Sequence, residues 1–217
     1  MSTELVKKTA EYVRKKMTGD PAGNDWFHLE RVWKLSKRLQ AKEGGDLELV
    51  ELSALLHDLG DYKQFEFDQG KGHLILHGMM DILEIDDARQ EQILHIVENA
   101  HYKGDGAKAP DSIEGKIVQD ADWLDALGAI GIARVCAFGG RVKRVLHDPA
   151  IKPRKRLSQD EYQRRRSEGT TYNQFFERIL KLPKLMNTKT ARKLAEKKAK
   201  FTQEFLKNFD KEWSGEF

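Results

Sequence analysis

The sequence has little of several features that define whole classes of protein. Its 217 residues include a single cysteine, Cys136, so no disulfide can form within the chain and nothing points to an oxidising compartment. The longest uninterrupted apolar stretch, residues 126–133 with its glycines, is far shorter than the roughly 18 to 20 residues that a membrane span needs. No apolar signal core follows Met1. We therefore expect a cytoplasmic protein that does not act at a membrane.

Two structural patterns are also missing. No run of alternating polar and apolar residues is long enough to predict a sheet, and the chain contains no Walker phosphate-binding loop. Hydrophobic residues make up 39% and charged residues 34% of the chain, which is typical of a charge-rich globular protein. The length fits one domain with a full hydrophobic core. The sequence predicts an all-α fold in a single domain over residues 1–217.

Apolar residues recur at helical spacing along most of the chain. The predicted helices run from Leu5 to Met17, from a cap at Asn24 or Asp25 to 44–45, from Asp46 to Gly60, near 72–85, near 86–101, from a capping box at 111–114 through Gln119 to Leu127, from a cap at 171–174, and from about 188 to 213. The last helix has an apolar stripe of Leu194, Phe201, Phe205 and Phe209. Glycines, prolines and charges in residues 139–157 predict a long mobile loop.

The net formal charge of +3 is spread unevenly. Ten basic residues lie between Arg141 and Arg166, and only Asp148, Asp160 and Glu161 oppose them. Such a block attracts phosphates, nucleic acid or an acidic partner, but a solvated loop has the same composition. The sequence leaves both interpretations open.

Candidate metal ligands occur in three predicted helices. His57 and Asp58 follow an apolar run at the end of one helix, and His28 lies near the start of another. Asp122 is one of three acids at helical spacing in a helix that is otherwise apolar enough to be buried. Carboxylates are rarely buried without a partner or a metal ion. Two imidazoles and two carboxylates suit octahedral Mn, Fe, Co, Ni or Mg with open water positions better than a closed thiolate zinc site.

These residues resemble the H…HD…D signature of the HD superfamily of metal-dependent phosphohydrolases. The stretches 28–35, 54–63 and 116–131 are similar to a bacterial branch of small HD hydrolases that includes a nucleotide pyrophosphatase type. The resemblance covers a motif core at about 25–135 and C-terminal helices at about 171–213. It implies an HD-type helical bundle in which His28, His57, Asp58 and Asp122 hold one divalent cation, whose bound water attacks a phosphorus atom.

The resemblance also implies roles for residues around the cation. Asp61 matches a position at which some members keep a carboxylate that orients or deprotonates the water, although a surface acid would look the same. His77 and His101 fall where two-metal members place extra histidines. We favour one metal, with both imidazoles contacting substrate phosphate, and a second metal stays open.

Phosphate binding is expected of cations close to these motifs. Arg31 lies one turn after His28, Lys63 lies just past the His-Asp pair, and Lys103 follows His101. Within the basic loop, about 139–166, we hypothesise that the part from Arg141 to Arg156 closes over a polyphosphate tail.

The favoured function is hydrolysis of a nucleoside triphosphate to the monophosphate and pyrophosphate. The alternatives are a nucleoside monophosphate phosphatase and a non-catalytic nucleotide-sensing module, with nucleic-acid binding through residues 141–166 disfavoured by the acid-rich remainder of the chain. Asp61 and Tyr62 do not match the paired acids of guanosine tetraphosphate hydrolases, and residues 60–62 lack the Gly-Tyr-Pro of cyclic dinucleotide hydrolases. The nucleotide, the bond cleaved, the native metal and the oligomeric state stay open.

Overall fold

The computed structural model describes residues 2–59, 69–105, 109–158, 161 and 168–216. Over these ranges the fold is all-α, as the sequence predicts, and the β pairing they contain is an isolated bridge between Val145 and Thr170. No single helix in the described ranges is long and apolar enough to cross a membrane. One bent pair of helices, Ile113–Asp125 with Gly128–Arg141, reaches the required length and composition together.

The chain divides into two compact units. Unit 1 consists of Met1–Tyr102 and Lys108–Asp122, and unit 2 consists of Lys103–Ala107 and Trp123–Phe217. The single-domain organisation over 1–217 stays a prediction.

Unit 1 is built around a fully buried helix. Its helices are α1 (Glu4–Lys16), α2 (Trp26–Glu43), α3 (Leu47–Leu56), α4 (Gln69–Ile82), α5 (Asp87–Ala100) and most of α6 (Ile113–Asp125). Every residue of α3 from Leu49 onwards is buried, and α3 packs against α1, α2 and α5. The predicted caps are confirmed at the starts of α2 and α3, where the side chains of Asp25 and Asp46 accept hydrogen bonds from the first turn.

Unit 2 is held together by two long helices. Its elements are α7 (Gly128–Arg141), α8 (Asn173–Glu177), a 3₁₀ turn (Ile179–Lys181), α9 (Leu182–Leu185) and α10 (Lys189–Trp213). The side of α10 that is buried carries small residues at a spacing of four, Ala191, Ala195 and Ala199. Farther along, Thr202 Oγ1 accepts a hydrogen bond of 3.1 Å from the backbone N–H of Gly128 in α7. Small side chains at the contact let two helices pack closely.

The predicted apolar stripe on the last helix is therefore wrong in its centre. Phe201 is 55% exposed, whereas the alanine face of α10 is buried. The large apolar residues give a misleading pattern, because in this helix alanine and not phenylalanine makes the contact.

The predicted loop at 139–157 begins too early, because α7 continues through Arg141. Gly139 is buried in α7, and a Cβ atom there would collide with the side chain of Thr171. The helix can approach Thr171 so closely because this position lacks a side chain. The start of α8 lies within the predicted cap at 171–174, since Tyr172 is its N-cap residue, and Thr170 Oγ1 accepts a hydrogen bond from the N–H of Asn173.

The described part of the segment that follows α7 is tied to the rest of unit 2. The Arg154 guanidinium forms hydrogen bonds of 3.0 and 2.8 Å with the two carboxylate oxygens of Glu177, which is buried. Leu157 donates its N–H to Asp105 Oδ2, and its carbonyl accepts from the N–H of Asp105. Part of the basic block thus neutralises acids of its own unit.

Candidate metal centre

Five polar side chains of unit 1 come together where three helices begin or end and a fourth passes by. His28 lies in the first turn of α2, His57 and Asp58 follow the last residue of α3, His101 follows the last residue of α5, and Asp122 lies near the end of α6. His28, His57, Asp58 and Asp122 are all buried. The four residues that the H…HD…D resemblance selects therefore lie together, and His101 joins them.

The distances between the donor atoms define a compact cluster. One ligand atom from each of His28, His57 and Asp58 lies within 4.8 Å of the other two. Asp122 Oδ1 is 3.4 Å from His28 Nε2 and 3.8 Å from His57 Nε2. His101 Nε2 is 3.5 Å from Asp58 Oδ1, and its Nδ1 is 3.7 Å from Asp122 Oδ2. Each carboxylate thus faces three imidazole rings.

Local backbone structure sets the orientation of the imidazole of His57. Its Nδ1 lies 2.8 Å from the carbonyl oxygen of Ala54 in the last turn of α3, and an N–H at Nδ1 donates to that oxygen. Because Nδ1 makes this bond, Nε2 is the ring nitrogen that faces the two carboxylates and can bind a metal ion in place of its proton. The Nε2 atom is buried and makes no hydrogen bond within the described part of the chain. A buried ring nitrogen of this kind is the expected state of a metal ligand shown without its metal.

The charges in the cluster also favour a cation. Burial alone would lower the pKa of His57, but the Asp58 and Asp122 carboxylates outweigh burial and raise the pKa to about 9. Burial alone would raise the pKa of Asp58, but His57, His28 and His101 lower it to about 2. Burial alone would raise the pKa of Asp122 as well, but the imidazoles of His101, His28 and His57 around it hold this pKa well below its usual value. The two carboxylates therefore stay ionised and attract positive charge, which a divalent cation supplies.

A divalent cation fits this donor set. Imidazole nitrogens and carboxylate oxygens without thiolates are the ligands of Mn, Fe, Co, Ni and Mg sites. His28, His57, Asp58 and Asp122 could hold such an ion, and His101 lies close enough to contact it or its ligands. The cluster belongs wholly to unit 1.

The side chain of Gln119 supports the cluster, and the sequence analysis overlooked it. Gln119 lies one turn before Asp122 in α6 and is buried, and its Nε2 donates a hydrogen bond of 2.6 Å to the carbonyl of Asn99. This bond fixes α6 against the end of α5, which carries His101. The sequence did contain a signal for this role. Gln119 lies three residues before a predicted ligand in an apolar helix, and a buried amide needs a hydrogen-bond partner.

The other residues predicted for this site have mixed outcomes. Arg31 is half-buried in α2, and Lys103 is half-buried two residues after His101. His77 makes a hydrogen bond of 2.9 Å through Nδ1 with Gln90, and no ion pair or hydrogen bond joins it to the cluster in the described structure. Asp61 and Lys63 lie outside the described residues.

Comparison with known proteins agrees with this geometry. The HD domain family matches residues 26–127, which contain all five cluster residues. A protein from Lactobacillus plantarum of known structure is 36% identical, with a TM-score of 0.87 and complete coverage of both chains. An HD-superfamily hydrolase from Bacillus thuringiensis is 36% identical over 97% of each chain, with a TM-score of 0.72.

A third relative has been crystallised with a nucleotide. YpgQ of Bacillus subtilis is 34% identical to this chain, over 94% of this chain and 91% of YpgQ. Its structure in complex with ADP has a TM-score of 0.72 at 30% identity and covers 95% of this chain and 97% of that one. The matched domain and these relatives show that the chain belongs to the HD superfamily and has the fold of its hydrolases.

Proposed function

We propose that the protein is a divalent-metal-dependent phosphohydrolase that cleaves a nucleoside triphosphate to the monophosphate and pyrophosphate. The observation that carries the proposal is the buried cluster of two ionised carboxylates and three imidazoles, in which His28, His57 and His101 are the charged partners of Asp58 within the described part of the chain. The crystal structure of the relative YpgQ with ADP supports a nucleotide as the ligand.

In this proposal each candidate site residue has a distinct role. His28, His57, Asp58 and Asp122 hold one cation, and the Ala54 carbonyl keeps the His57 ring in the orientation that binding requires. When bound, a divalent cation lowers the pKa of water and polarises a phosphoryl oxygen. Asp61 would orient the attacking water and accept its proton, and Arg31, Lys63, His77, His101 and Lys103 would bind phosphate oxygens.

The test measures pyrophosphate and orthophosphate release from a panel of nucleoside tri-, di- and monophosphates with Mn, Mg, Co or Ni added. The wild type should release pyrophosphate from a triphosphate only when a divalent metal is present. Asp58→Ala should abolish both this release and the metal binding measured by calorimetry. Glu91→Ala, which changes an exposed acid on α5, is the matched control and should behave as the wild type.

The alternatives give different results in the same assay. Orthophosphate released only from monophosphates would replace the proposed reaction by that of a nucleotidase at the same site. Metal and nucleotide binding without any turnover would leave a nucleotide-sensing module. Turnover in Asp58→Ala equal to that of the wild type would contradict the site itself.

A further inference from the structure

The outward side of α10 carries a regular row of lysines. These are Lys189, Lys193, Lys197, Lys200, Lys207 and Lys211, and all are exposed. At about 100° per residue they fall within an arc of about 80°, and their Cα atoms span about 33 Å along the helix axis. This lysine stripe is opposite the buried alanine face of the same helix.

The lysines of the stripe are not neutralised by their neighbours. None of the six forms an ion pair or donates a side-chain hydrogen bond to another residue in the described structure, although Glu196 and Glu204 lie within reach on the same side. Two exposed lysines of unit 1 do form such pairs, Lys7 with Glu4 at 3.2 Å and Lys8 with Glu84 at 2.7 Å. The stripe therefore keeps its positive charge available to a partner.

Unit 2 as a whole also carries a net positive charge. It contains 23 basic and 12 acidic residues, a net formal charge of +11, while unit 1 carries 15 basic and 23 acidic residues, a net charge of −8. The acid-rich composition that disfavours nucleic acid in the sequence analysis thus belongs to the other unit. A unit with this excess of positive charge attracts polyanions.

An exposed aromatic ring lies beside the stripe. Phe201 is 55% exposed, follows Lys200 directly and lies one turn after Lys197. An exposed aromatic ring flanked by cations offers a stacking surface for an unpaired base, with phosphates bound on either side. An anionic membrane fits less well, because the apolar face that an interfacial helix would insert is buried within unit 2.

From these observations we propose that the lysine stripe of α10 and Phe201 form a binding surface for single-stranded nucleic acid. The lysines contact phosphates along one strand. Neighbouring lysines are spaced about 4.5 to 6 Å apart along the helix for steps of three or four residues, and about 10.5 Å apart for the step from Lys200 to Lys207. Phe201 stacks on a base. This surface is separate from the metal centre and does not depend on the proposed hydrolase activity.

The test uses fluorescence anisotropy with the full-length protein and a labelled oligothymidylate of about 16 nucleotides, which is checked for integrity on a gel. The affinity is measured between about 50 and 200 mM salt. Six phosphate contacts predict a slope of log affinity against log salt of up to about −4. The double variant Lys197→Gln/Lys200→Gln should reduce the magnitude of the slope by about 1.4. Lys7→Gln/Lys15→Gln, which changes exposed lysines on α1, should leave the slope unchanged.

The ring is tested separately. Phe201→Ala should weaken binding about fivefold or more without changing the slope, because base stacking is independent of salt. Ile130→Ala, which truncates an exposed apolar residue on α7, is the control and should have no effect.

Several outcomes would overturn the proposal. These are no binding at about 50 mM salt, a slope that the lysine variant leaves unchanged, and an affinity that Phe201→Ala leaves unchanged. Equal or tighter binding to a duplex of the same length, to poly-glutamate or to phosphatidylserine vesicles would also overturn it, and would assign the stripe to that partner.

Discussion

The two buried carboxylates of the metal centre have different partners from two buried carboxylates of unit 2, Asp125 and Glu177. In unit 2, Asp125 accepts a hydrogen bond of 2.9 Å from Arg134, and Glu177 is bound by Arg154. In unit 1, Asp58 and Asp122 face imidazoles instead. An arginine neutralises a carboxylate permanently, whereas an imidazole can give up its proton and bind a metal ion beside the carboxylate. The identity of the partner therefore separates acids that stabilise the fold from acids that can hold a cation.

Asp122 and Asp125 offer the sharpest test of this comparison, because both are buried in α6 and lie one turn apart. Asp122→Asn should weaken divalent-cation binding more than 100-fold, since changes to groups that merely support a ligand already cost about 10- to 100-fold. Asp125→Asn should lower the free energy of unfolding and leave the cation affinity unchanged. Calorimetric titration with Mn, combined with urea unfolding, measures both. Equal cation affinities in the two variants would contradict the comparison.

Glu177 should be important for the stability of unit 2. Glu177→Gln leaves the Arg154 guanidinium beside a neutral amide, and breaking a buried ion pair in this way costs about 3 to 5 kcal/mol. Because the Arg154 side chain is 23% exposed, water recovers part of this loss, and we expect about 2 to 3 kcal/mol in urea unfolding. Glu196→Gln on the exposed side of α10 should change the stability by less than about 0.5 kcal/mol. If Glu177→Gln lowers the free energy of unfolding by no more than Glu196→Gln does, the Arg154–Glu177 pair does not stabilise the fold.

Two adjacent glycines of α7 should respond in opposite directions to alanine. Gly139→Ala drives a methyl group into Thr171 and should destabilise the protein by about 1 to 3 kcal/mol, as overpacked cores do. Gly140 has open space around its Cα, so Gly140→Ala should not destabilise. Adding Thr171→Ala to Gly139→Ala should recover part of the loss. Thermal unfolding of the wild type and the three variants decides the point, and a neutral Gly139→Ala would contradict the close approach.

The smallest expected effect compares one exposed helix position in each unit. No atom outside the helix itself and the flanking residues lies within 4 Å of a Cβ placed at Gly78 in α4 or at Gly140 in α7. Gly→Ala should therefore stabilise each helix by up to about 1 kcal/mol, with less at Gly140 because it is next to the end of its helix. A shift in the urea midpoint measures the gain. Destabilisation at either site would reveal a contact that the isolated chain does not show.

The sequence was sufficient for the parts of the fold that local rules decide. The caps at Asp25, Asp46 and Thr188 were predictable because each is a short polar residue just before an apolar periodic run. The four candidate ligands could be selected from the sequence because imidazoles and carboxylates in apolar surroundings need a partner, and their role as ligands stays a prediction. Their convergence came from the resemblance to a family, since spacing in sequence does not fix the distance between helices.

Other parts of the structure depend on tertiary packing and were missed. α7 is rich in glycine and reads as a weak helix, but it forms because Gly128 and Gly139 allow close neighbours. The position of His101 against both carboxylates could not be read from the sequence, because it depends on how the ends of α5 and α6 meet through Gln119. The assignment of His101 to substrate and the roles of Asp61 and Lys63 stay predictions.

One contact in unit 2 has a consequence for how the protein is made. Lys198 Nζ in α10 donates hydrogen bonds of 2.7 and 3.1 Å to the carbonyls of Leu124 and Leu127, at the end of α6. The Leu124 carbonyl lies in the last turn of α6, where it also accepts a hydrogen bond of 3.2 Å from the N–H of Leu127, and the positive charge suits the negative end of the helix dipole. Lys198 is more than seventy residues later in the chain. During synthesis, the end of the helix that carries Asp122 thus acquires these two hydrogen bonds only after α10 has left the ribosome, so a nascent chain that stops before residue 198 lacks them.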